Sequence, residues 1–205
     1  MRPSIFADAE RMLRFAVVLY GASAPDSEGD TVSVPSVTPA DDNNASAVGS
    51  WNDRIIAEFR ANAGCVPWSS DEEFAAGRPV PPRMPGFSEQ GMPLILVHHT
   101  GARTGRERIS PLFYQPAGDG WAVFGTHGGS PRHPVWYRNL MANPRAIVEV
   151  GTERVPAVAR LAEGAERERL WAKEVALVPK FAEFEAASGR QIPVVVLERD
   201  RGQPW

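Results

Sequence analysis

Hydrophobic and polar residues alternate with two different periods along the chain, one helical and one strand-like. Between residues 51 and 59, large apolar side chains recur three or four positions apart, which predicts an amphipathic helix. Ser50 and Asp53 have the spacing of a capping box at its start, and Gly64 can close its end. The sequence therefore predicts that the folded part begins near Ser50 with a helix that buries one face.

Six later runs combine apolar, β-branched and aromatic residues, which is typical of strands. Turn signals such as AGDG at residues 117–120 and GT at residues 151–152 separate some of them at hairpin length. The predicted strands span residues 93–99, 108–115, 121–127, 146–150, 154–161 and 192–199. This spacing predicts a mostly antiparallel sheet or a small barrel.

Two helical segments interrupt the strands. Pro134 can begin a short helix that Asn143 and Pro144 stop, since proline favours a first helical turn and opposes the continuation of a helix. A longer helical region over residues 163–188 is divided at Pro179. Helices packed around one sheet make α+β the expected fold class.

The first 50 residues differ in composition from the rest. Residues 21–49 are rich in Ser, Pro, Asp, Asn and Gly, and they bury too little to offset their chain entropy, so a disordered linker is expected. Residues 12–20 are a short apolar stretch that we interpret as a frayed extension, while contact with a membrane surface or a partner stays open. The predicted division is an N-terminal extension over residues 1–50 and a folded domain over residues 51–205.

Composition and charge limit the classes of function. The 205-residue chain is 43% apolar and has no apolar run near the roughly 20 residues that span a bilayer, so no transmembrane segment is expected. A single cysteine, Cys65, favours a reducing cytoplasm. The net charge of −3 argues against nucleic acid as a partner, whereas residues 101–138 alone carry +3. A basic patch on an acidic body favours a small anionic ligand.

Two loops combine the groups that bind oxyanions. HTGARTGRERISP, residues 99–111, has glycines, hydroxyls and arginines, and THGGSPRHP, residues 126–134, runs directly into the predicted helix at Pro134. A helix N-terminus favours anions through its dipole and its open amides. The first segment is neither a Walker A loop nor a dinucleotide fingerprint, so an exposed hairpin kept soluble by its arginines is the alternative. Together the two loops are expected to converge on one ligand.

The histidines and the cysteine indicate no further chemistry. His98 and His99 are adjacent on a predicted strand and point to opposite faces, so they cannot readily share one metal ion. The metal-binding spacings H-x-x-x-H and H-E-x-x-H are absent from the sequence, and we expect no metal site. Cys65 follows a helix end with no evident base beside it, which favours ordinary packing.

Four blocks in order resemble the deazaflavin (coenzyme F420)-dependent nitroreductase family, between about Trp51 and Arg199. They read NDRIIAEFRANAG, TGARTGRERISPL, GGSPRHPVWYRNLMANP and GRQIPVVVLER. The resemblance implies the split β-barrel fold shared with FMN-binding oxidoreductases. It also implies coenzyme F420, an 8-hydroxy-5-deazaflavin whose phosphodiester and oligoglutamate tail need the positive groups of both loops. A homodimer is compatible with the resemblance.

The resemblance also implies roles for single residues. Arg103 and Arg108 would hold phosphate or tail carboxylates beside Thr104, and Pro111 would shape the pocket. The other expected cofactor-binding residues lie in or after the second loop: Thr126, His127, Gly128, Gly129, Arg132, Trp136 and Asn139. Phe181 and Phe184 stand where the family often has tyrosines of the substrate pocket, so two phenolic donors are lost and nitroimidazole chemistry is not expected.

The leading hypothesis is hydride transfer from the reduced deazaflavin to an apolar, electron-poor small molecule such as a quinone. No side chain need be an essential acid or base, and Tyr137, Tyr114 and His133 are the candidate proton sources. Two alternatives stay open. One is an FMN-dependent oxidoreductase on the same barrel, and the other is a non-catalytic deazaflavin binder or carrier.

Overall fold

The computed structural model describes residues 45–76, 80, 83, 89 and 91–202, so the predictions for residues 1–44 lie outside the described residues. The first described helix, α1, spans Ala45–Ala61. The predicted start at Ser50 is therefore wrong by five residues, and the end of the predicted linker is helical. Gly49 is the one residue of that stretch with low helix propensity, and a single glycine costs only about 1 kcal/mol in a helix.

In the described part of the chain, seven strands form one antiparallel sheet, where the sequence predicted six. Their bounds are β1 Leu94–Thr100, β2 Glu107–Phe113, β3 Gln115–Ala117, β4 Gly120–Phe124, β5 Arg145–Val150, β6 Glu153–Leu161 and β7 Val194–Arg199. The order across the sheet is β2-β1-β5-β6-β7-β4-β3. The run predicted at residues 108–115 divides at Tyr114, and the strand predicted at residues 121–127 ends at Phe124 because a tight turn follows.

The sheet curls into a barrel, as its connectivity demands. β2 lies at one edge and β3 at the other, yet only Tyr114 separates them along the chain. One residue cannot cross a flat seven-stranded sheet, whose edges lie roughly 28 Å apart at about 4.7 Å per strand spacing. The two edges must therefore approach each other, and β2 does contact β4. The predicted α+β split barrel is confirmed.

The residues that the structure describes form four further helices around the barrel: α2 Asp71–Ala75, α3 Val135–Ala142, α4 Gly164–Leu177 and α5 Lys180–Ser188. The predicted helix after Pro134 and the predicted break at Pro179 are confirmed. In the described part of the chain, none of the helices is both long and apolar enough to cross a bilayer.

Both faces of β1 are covered, which fixes the strand that leads into the first candidate loop. Ile95 and Val97 pack in the cluster that contains α3, whereas Leu94 and Leu96 pack in the cluster that contains α1. Six of its seven residues are buried, a pattern typical of a strand enclosed on both faces. The far end of β1 is therefore a rigid base for the loop that follows it.

Candidate functional site

The second loop, residues 125–134, joins β4 to α3 through a one-turn 3-10 helix, His127–Gly129. Thr126 has right-handed helical angles, with φ −65° and ψ −42°, and His127 follows with a φ of +49°. A positive φ is uncommon for histidine. Here the ring contributes a hydrogen bond, since Nδ1 donates to the Arg132 carbonyl at 3.0 Å. Successive right- and left-handed residues turn their amides to one side and form an anion-binding nest.

The hydrogen bonds that close this turn leave part of the nest unused. Gly129 donates to the Thr126 carbonyl at 3.1 Å, and Ser130 donates to the His127 carbonyl at 3.1 Å. Among the described residues, the amides of His127 and Gly128 take no part in these bonds. The two amides between the closing bonds are therefore the donors that an anion would meet.

Helix α3 begins directly after the second loop and adds to its positive character. Pro134 is the N-cap, and no side chain caps the first turn. The first amide N–H groups of the helix therefore have no capping acceptor and stay available to a ligand. The positive end of the helix dipole lies at the end of the second loop. Arg132 and Arg138 are exposed on either side of this helix start. Geometry and charge both favour an oxyanion here.

The first loop, residues 101–106, has a different backbone. Gly101 and Arg106 pair at 2.8 Å, and the amides of Thr104 and Gly105 both donate to the Gly101 carbonyl. The amide of Ala102 donates to the side chain of Asn139 at 2.9 Å. The predicted use of backbone donors is therefore wrong for most of this loop, because its amides are consumed internally. It can offer ligands its exposed arginines instead, Arg103, Arg106 and Arg108.

A buried side-chain relay joins the two loops. Asn139, on the first turns of α3, accepts from the Ala102 amide and donates through Nδ2 to His99 Nδ1 at 3.1 Å. His99 Nε2 contacts Ser110 Oγ at 3.0 Å. Asn139 lies four residues after the start of α3, about 6 Å along the helix axis. The structure thus brings the beginning of the first loop to the helix that the second loop begins.

The relay requires an uncharged histidine. Burial, followed by the nearby charges of Arg108 and His98, lowers the pKa of His99 to about 4. Because Nδ1 accepts from Asn139, the single proton of the neutral ring lies on Nε2 and points to Ser110. Asn139 is 4% exposed, and both the oxygen and the nitrogen of its amide take part in this relay. Its predicted contact with a deazaflavin stays a prediction.

Arg190 is a residue of the candidate site that sequence analysis missed. It follows α5, and its guanidinium lies against the second loop, where it donates to the carbonyls of Gly125, Thr126, Ser130 and Arg132 at 2.9–3.3 Å. In the sequence it belongs to GRQIPVVVLER, one of the four blocks that carry the family resemblance. An arginine between a helix end and a strand was the available signal, but its target is more than 50 positions away along the chain.

Several predicted site residues lie in the core. Trp136 is 9% exposed and packs in the barrel interior, so it offers little surface to a ligand ring. Pro111 is buried within β2. Phe181 and Phe184 are buried with Phe124 beneath α4 and α5, and Phe184 also lies close to Gly129 of the second loop. The phenylalanines can thus shape a pocket only at the edge where α5 meets this loop.

The three candidate proton sources separate into two regions. His133 and Tyr137 lie together at the start of α3, with ring centroids 4.7 Å apart. Tyr114 instead lines a cleft of about 540 Å³ with Trp121, Gly151 and other residues. It lies beyond the far end of β2, whose seven residues span roughly 23 Å from the first loop. A proton source beside the loops is therefore His133 or Tyr137 rather than Tyr114.

His98 and His99 point to opposite faces of β1, as predicted. His98 contacts Glu107 at 2.6 Å and Glu149 at 2.5 Å, while Arg60 of α1 forms a further ion pair with Glu149. The Arg60 hydrogen bond is the largest cause that lowers the pKa of Glu149 to about 2. This network joins α1 to the outer face of the sheet. Among the described residues, no cluster of three His, Cys, Asp or Glu side chains could hold a metal ion.

Comparison with known proteins identifies the family of this chain. Residues 84–199 match the family model described as F420H(2)-dependent quinone reductase. The chain belongs to this family. An F420H(2)-dependent quinone reductase of Mycobacterium tuberculosis strain H37Rv is 35% identical over 120 residues, which cover 57% of this chain and 78% of that protein. A solved F420-H2 dependent reductase, FDR-A, is 38% identical, covers 52% of this chain and 94% of its own, and gives a TM-score of 0.48.

Membership of the quinone reductase family makes the protein an oxidoreductase with coenzyme F420 as its cofactor. The residues present fit that cofactor. Three buried polar atoms around the second loop have no partner in the described structure: Thr126 Oγ1, His133 Nδ1 and Arg190 Nη1. Buried polar atoms are normally hydrogen-bonded, so unpaired ones at one loop are expected where a ligand or water completes the site. The nest and the arginines match the anionic part of the cofactor.

Proposed function

We propose that the protein is an F420H2-dependent quinone reductase in which the second loop binds the anionic part of the cofactor. The observation that supports this most is the pair of unused amides at His127 and Gly128, next to the uncapped start of α3. Preorganised amides bind an oxyanion without the entropy cost of ordering the loop on binding. Arg132, with Arg103 and Arg108 of the first loop, would complete the site with charge.

The chemistry at the reacting centre comes from the cofactor, which supplies a hydride when reduced. The protein positions it, excludes water and leaves an apolar surface for the acceptor. Phe184 adjoins the second loop, and with its neighbour Phe181 it offers hydrocarbon rather than hydroxyl groups. Such a surface favours a planar, weakly polar acceptor such as a quinone over one that must be held by hydrogen bonds.

After a hydride is transferred, a quinone takes up one proton to become the hydroquinone, and the start of α3 can supply it. Nδ1 of His133 is buried without a partner in the described structure, and its ring packs on Tyr137. Burial is the largest cause that lowers the pKa of His133, so its ring is neutral near pH 7. A neutral imidazole carries one N–H and one acceptor nitrogen, and it can pass a proton from solvent to a substrate oxygen.

The experiment is a titration of the full chain with coenzyme F420 and, separately, with FMN, followed by menadione added to the reduced complex. We expect tight F420 binding, weak FMN binding and reoxidation of the complex by menadione. Arg132→Ala should weaken F420 binding about tenfold or more, since charge-assisted bonds contribute about 1.5–3 kcal/mol. Arg169→Ala, an exposed arginine on α4, is the matched control and should bind normally.

The outcomes separate the alternatives. Binding of FMN in preference to F420 would overturn the cofactor assignment, and F420 binding without reoxidation by a panel of quinones would favour a carrier. Unchanged F420 affinity in Arg132→Ala and in a Gly129→Val variant would move the anion site away from the second loop.

A further inference from the structure

We propose that Arg190 is a positioning residue that aims the amides of the second loop at the cofactor's anion. This inference rests on the function proposed above, and it assigns a role to a side chain outside both loops. Arg190 lies after α5, more than 50 residues from the loop along the chain, yet its guanidinium makes four hydrogen bonds to the loop's carbonyl oxygens.

The direction of these bonds decides their effect. In a trans peptide unit the C=O and N–H groups point to opposite sides. The Thr126 carbonyl accepts from Arg190 Nη2 at 3.2 Å, so the amide of His127 in the same peptide unit points away from Arg190. That amide belongs to the nest. The guanidinium, together with the Gly129 amide that donates to the same carbonyl, therefore fixes which way this donor faces.

Arg190 also spans the whole loop. Nη2 reaches Gly125 and Thr126 at its beginning and Arg132 near its end, while Nε reaches Ser130 at 3.2 Å. A planar fork with donors in fixed directions can hold carbonyls from both arms of a turn at once, which a lysine ammonium cannot do as rigidly. The contact thus fixes the shape of the loop as well as its orientation.

The backbone that carries the guanidinium is itself held in place. The amide of Arg190 donates to Ser188 Oγ at 3.3 Å, and that hydroxyl donates to the Glu185 carbonyl at 2.9 Å. Burial is the largest cause that lowers the pKa of Arg190, while Tyr137 and Glu185 oppose it. The buried positive charge lies on the same side of the barrel as the nest, so it adds to the potential that attracts an anion.

The test compares Arg190→Lys with Arg167→Gln. Arg167 is a matched control, because it is another partly buried arginine that bonds Glu185 and the Ile192 carbonyl, and in the described part of the chain its hydrogen bonds do not reach the second loop. Amide hydrogen exchange of the peptide 125–133 is measured in the cofactor-free protein, with the peptide 99–106 as an internal reference. F420 affinity is measured by titration, and menadione reduction gives kcat and KM.

We expect Arg190→Lys to raise exchange in residues 125–133 but not in 99–106, and to weaken F420 binding tenfold or more. Arg167→Gln should change F420 affinity less than threefold. In Arg190→Ala, millimolar guanidinium should restore part of the F420 affinity, a rescue that a general loss of stability would not show. Should Arg190→Ala fail to fold, the lysine variant alone decides.

Unchanged exchange in residues 125–133 of Arg190→Lys would overturn the proposal, since the loop would then keep its shape without the fork. Raised exchange with unchanged F420 affinity would overturn it as well. In that case Arg132→Ala identifies the cause. If Arg132→Ala also binds normally, the second loop is not the anion site and the proposed function fails; if it binds weakly, only the role of Arg190 fails.

Discussion

The first and second loops lie at the same end of the barrel, but they hold their backbones in opposite ways. The first loop closes on itself, and its amides are consumed by Gly101 and Asn139. The second loop gives its carbonyls to Arg190 and leaves amides at His127 and Gly128. One loop thus presents charge on long side chains, and the other presents rigid dipoles. A fixed dipole binds without ordering side chains, whereas a long side chain adapts but loses rotamer entropy.

The sharpest test of this contrast replaces one glycine in each loop by valine, at two positions that both have a positive φ. Gly129 in the second loop has φ +82°, and a Cβ there would lie 3.4 Å from Ala187 Cβ and 3.5 Å from the Phe184 backbone. Gly129→Val should strain the backbone by about 1–3 kcal/mol and crowd α5. We expect F420 affinity to fall about a hundredfold, close to 3 kcal/mol. Fluorescence titration measures it.

Gly105→Val is the control in the first loop. Gly105 has φ +65°, and a Cβ there would meet nothing within 4 Å, so the strain is similar and the crowding is absent. We expect less than a tenfold loss of affinity, because the first loop contributes through side-chain ends that can readjust. Equal losses in the two variants would show that both loops bind through their backbones, and the contrast would be wrong.

The second prediction concerns the relay that anchors the first loop. Folded His99 has a pKa of about 4 against 6.5 for an unperturbed histidine. Between these values the unfolded chain binds the proton and the folded chain does not, so stability falls as the pH drops from 6.5 to 4. The loss is up to about 3 kcal/mol for this shift. His99→Gln keeps an acceptor and a donor but cannot titrate. The difference in free energy of unfolding between wild type and His99→Gln, measured in urea, should therefore shrink as the pH drops from 6.5 to 4.

Glu174 provides a control of opposite sign. Burial is the largest cause that raises the pKa of Glu174 to about 7, beyond the effect of Lys173 and of the hydrogen bond from Gln115. Its contribution to stability is present below pH 4.5 and is lost as the pH rises towards 7. The free energy of unfolding of the wild type minus that of Glu174→Gln should therefore fall as the pH rises. The same difference for His99→Gln should rise with pH. Two curves with the same slope would contradict the assigned protonation states.

The two loops also differ in how much of them the sequence predicts. Strand alternation, the proline boundaries of α3 and the composition of both loops are local patterns, and they predicted the barrel and the two candidate loops. Six strands instead of seven were predicted because Tyr114 continues the apolar run of β2 while the backbone crosses to the other edge. The positive φ of His127 and the contacts of Arg190 depend on residues distant in sequence, so no local pattern contains them.

The smallest predicted effect concerns the charged ends of the first loop. Arg108 is exposed and its guanidinium lies near Gly101, so its bond to an anionic cofactor tail would be surrounded by water. Arg108→Ala should weaken F420 binding about tenfold at low salt, roughly 1.4 kcal/mol. At 1 M salt the Debye length is about 3 Å and this difference should fall below about threefold. The loss in Gly129→Val should persist at 1 M salt, because rigid amides that touch the anion are screened far less. Titrations of both variants with F420 at 0.05 and 1 M NaCl test this difference. A loss of affinity in Arg108→Ala that persists at 1 M NaCl would contradict it, because the Arg108 guanidinium would then be as enclosed as the amides of the second loop.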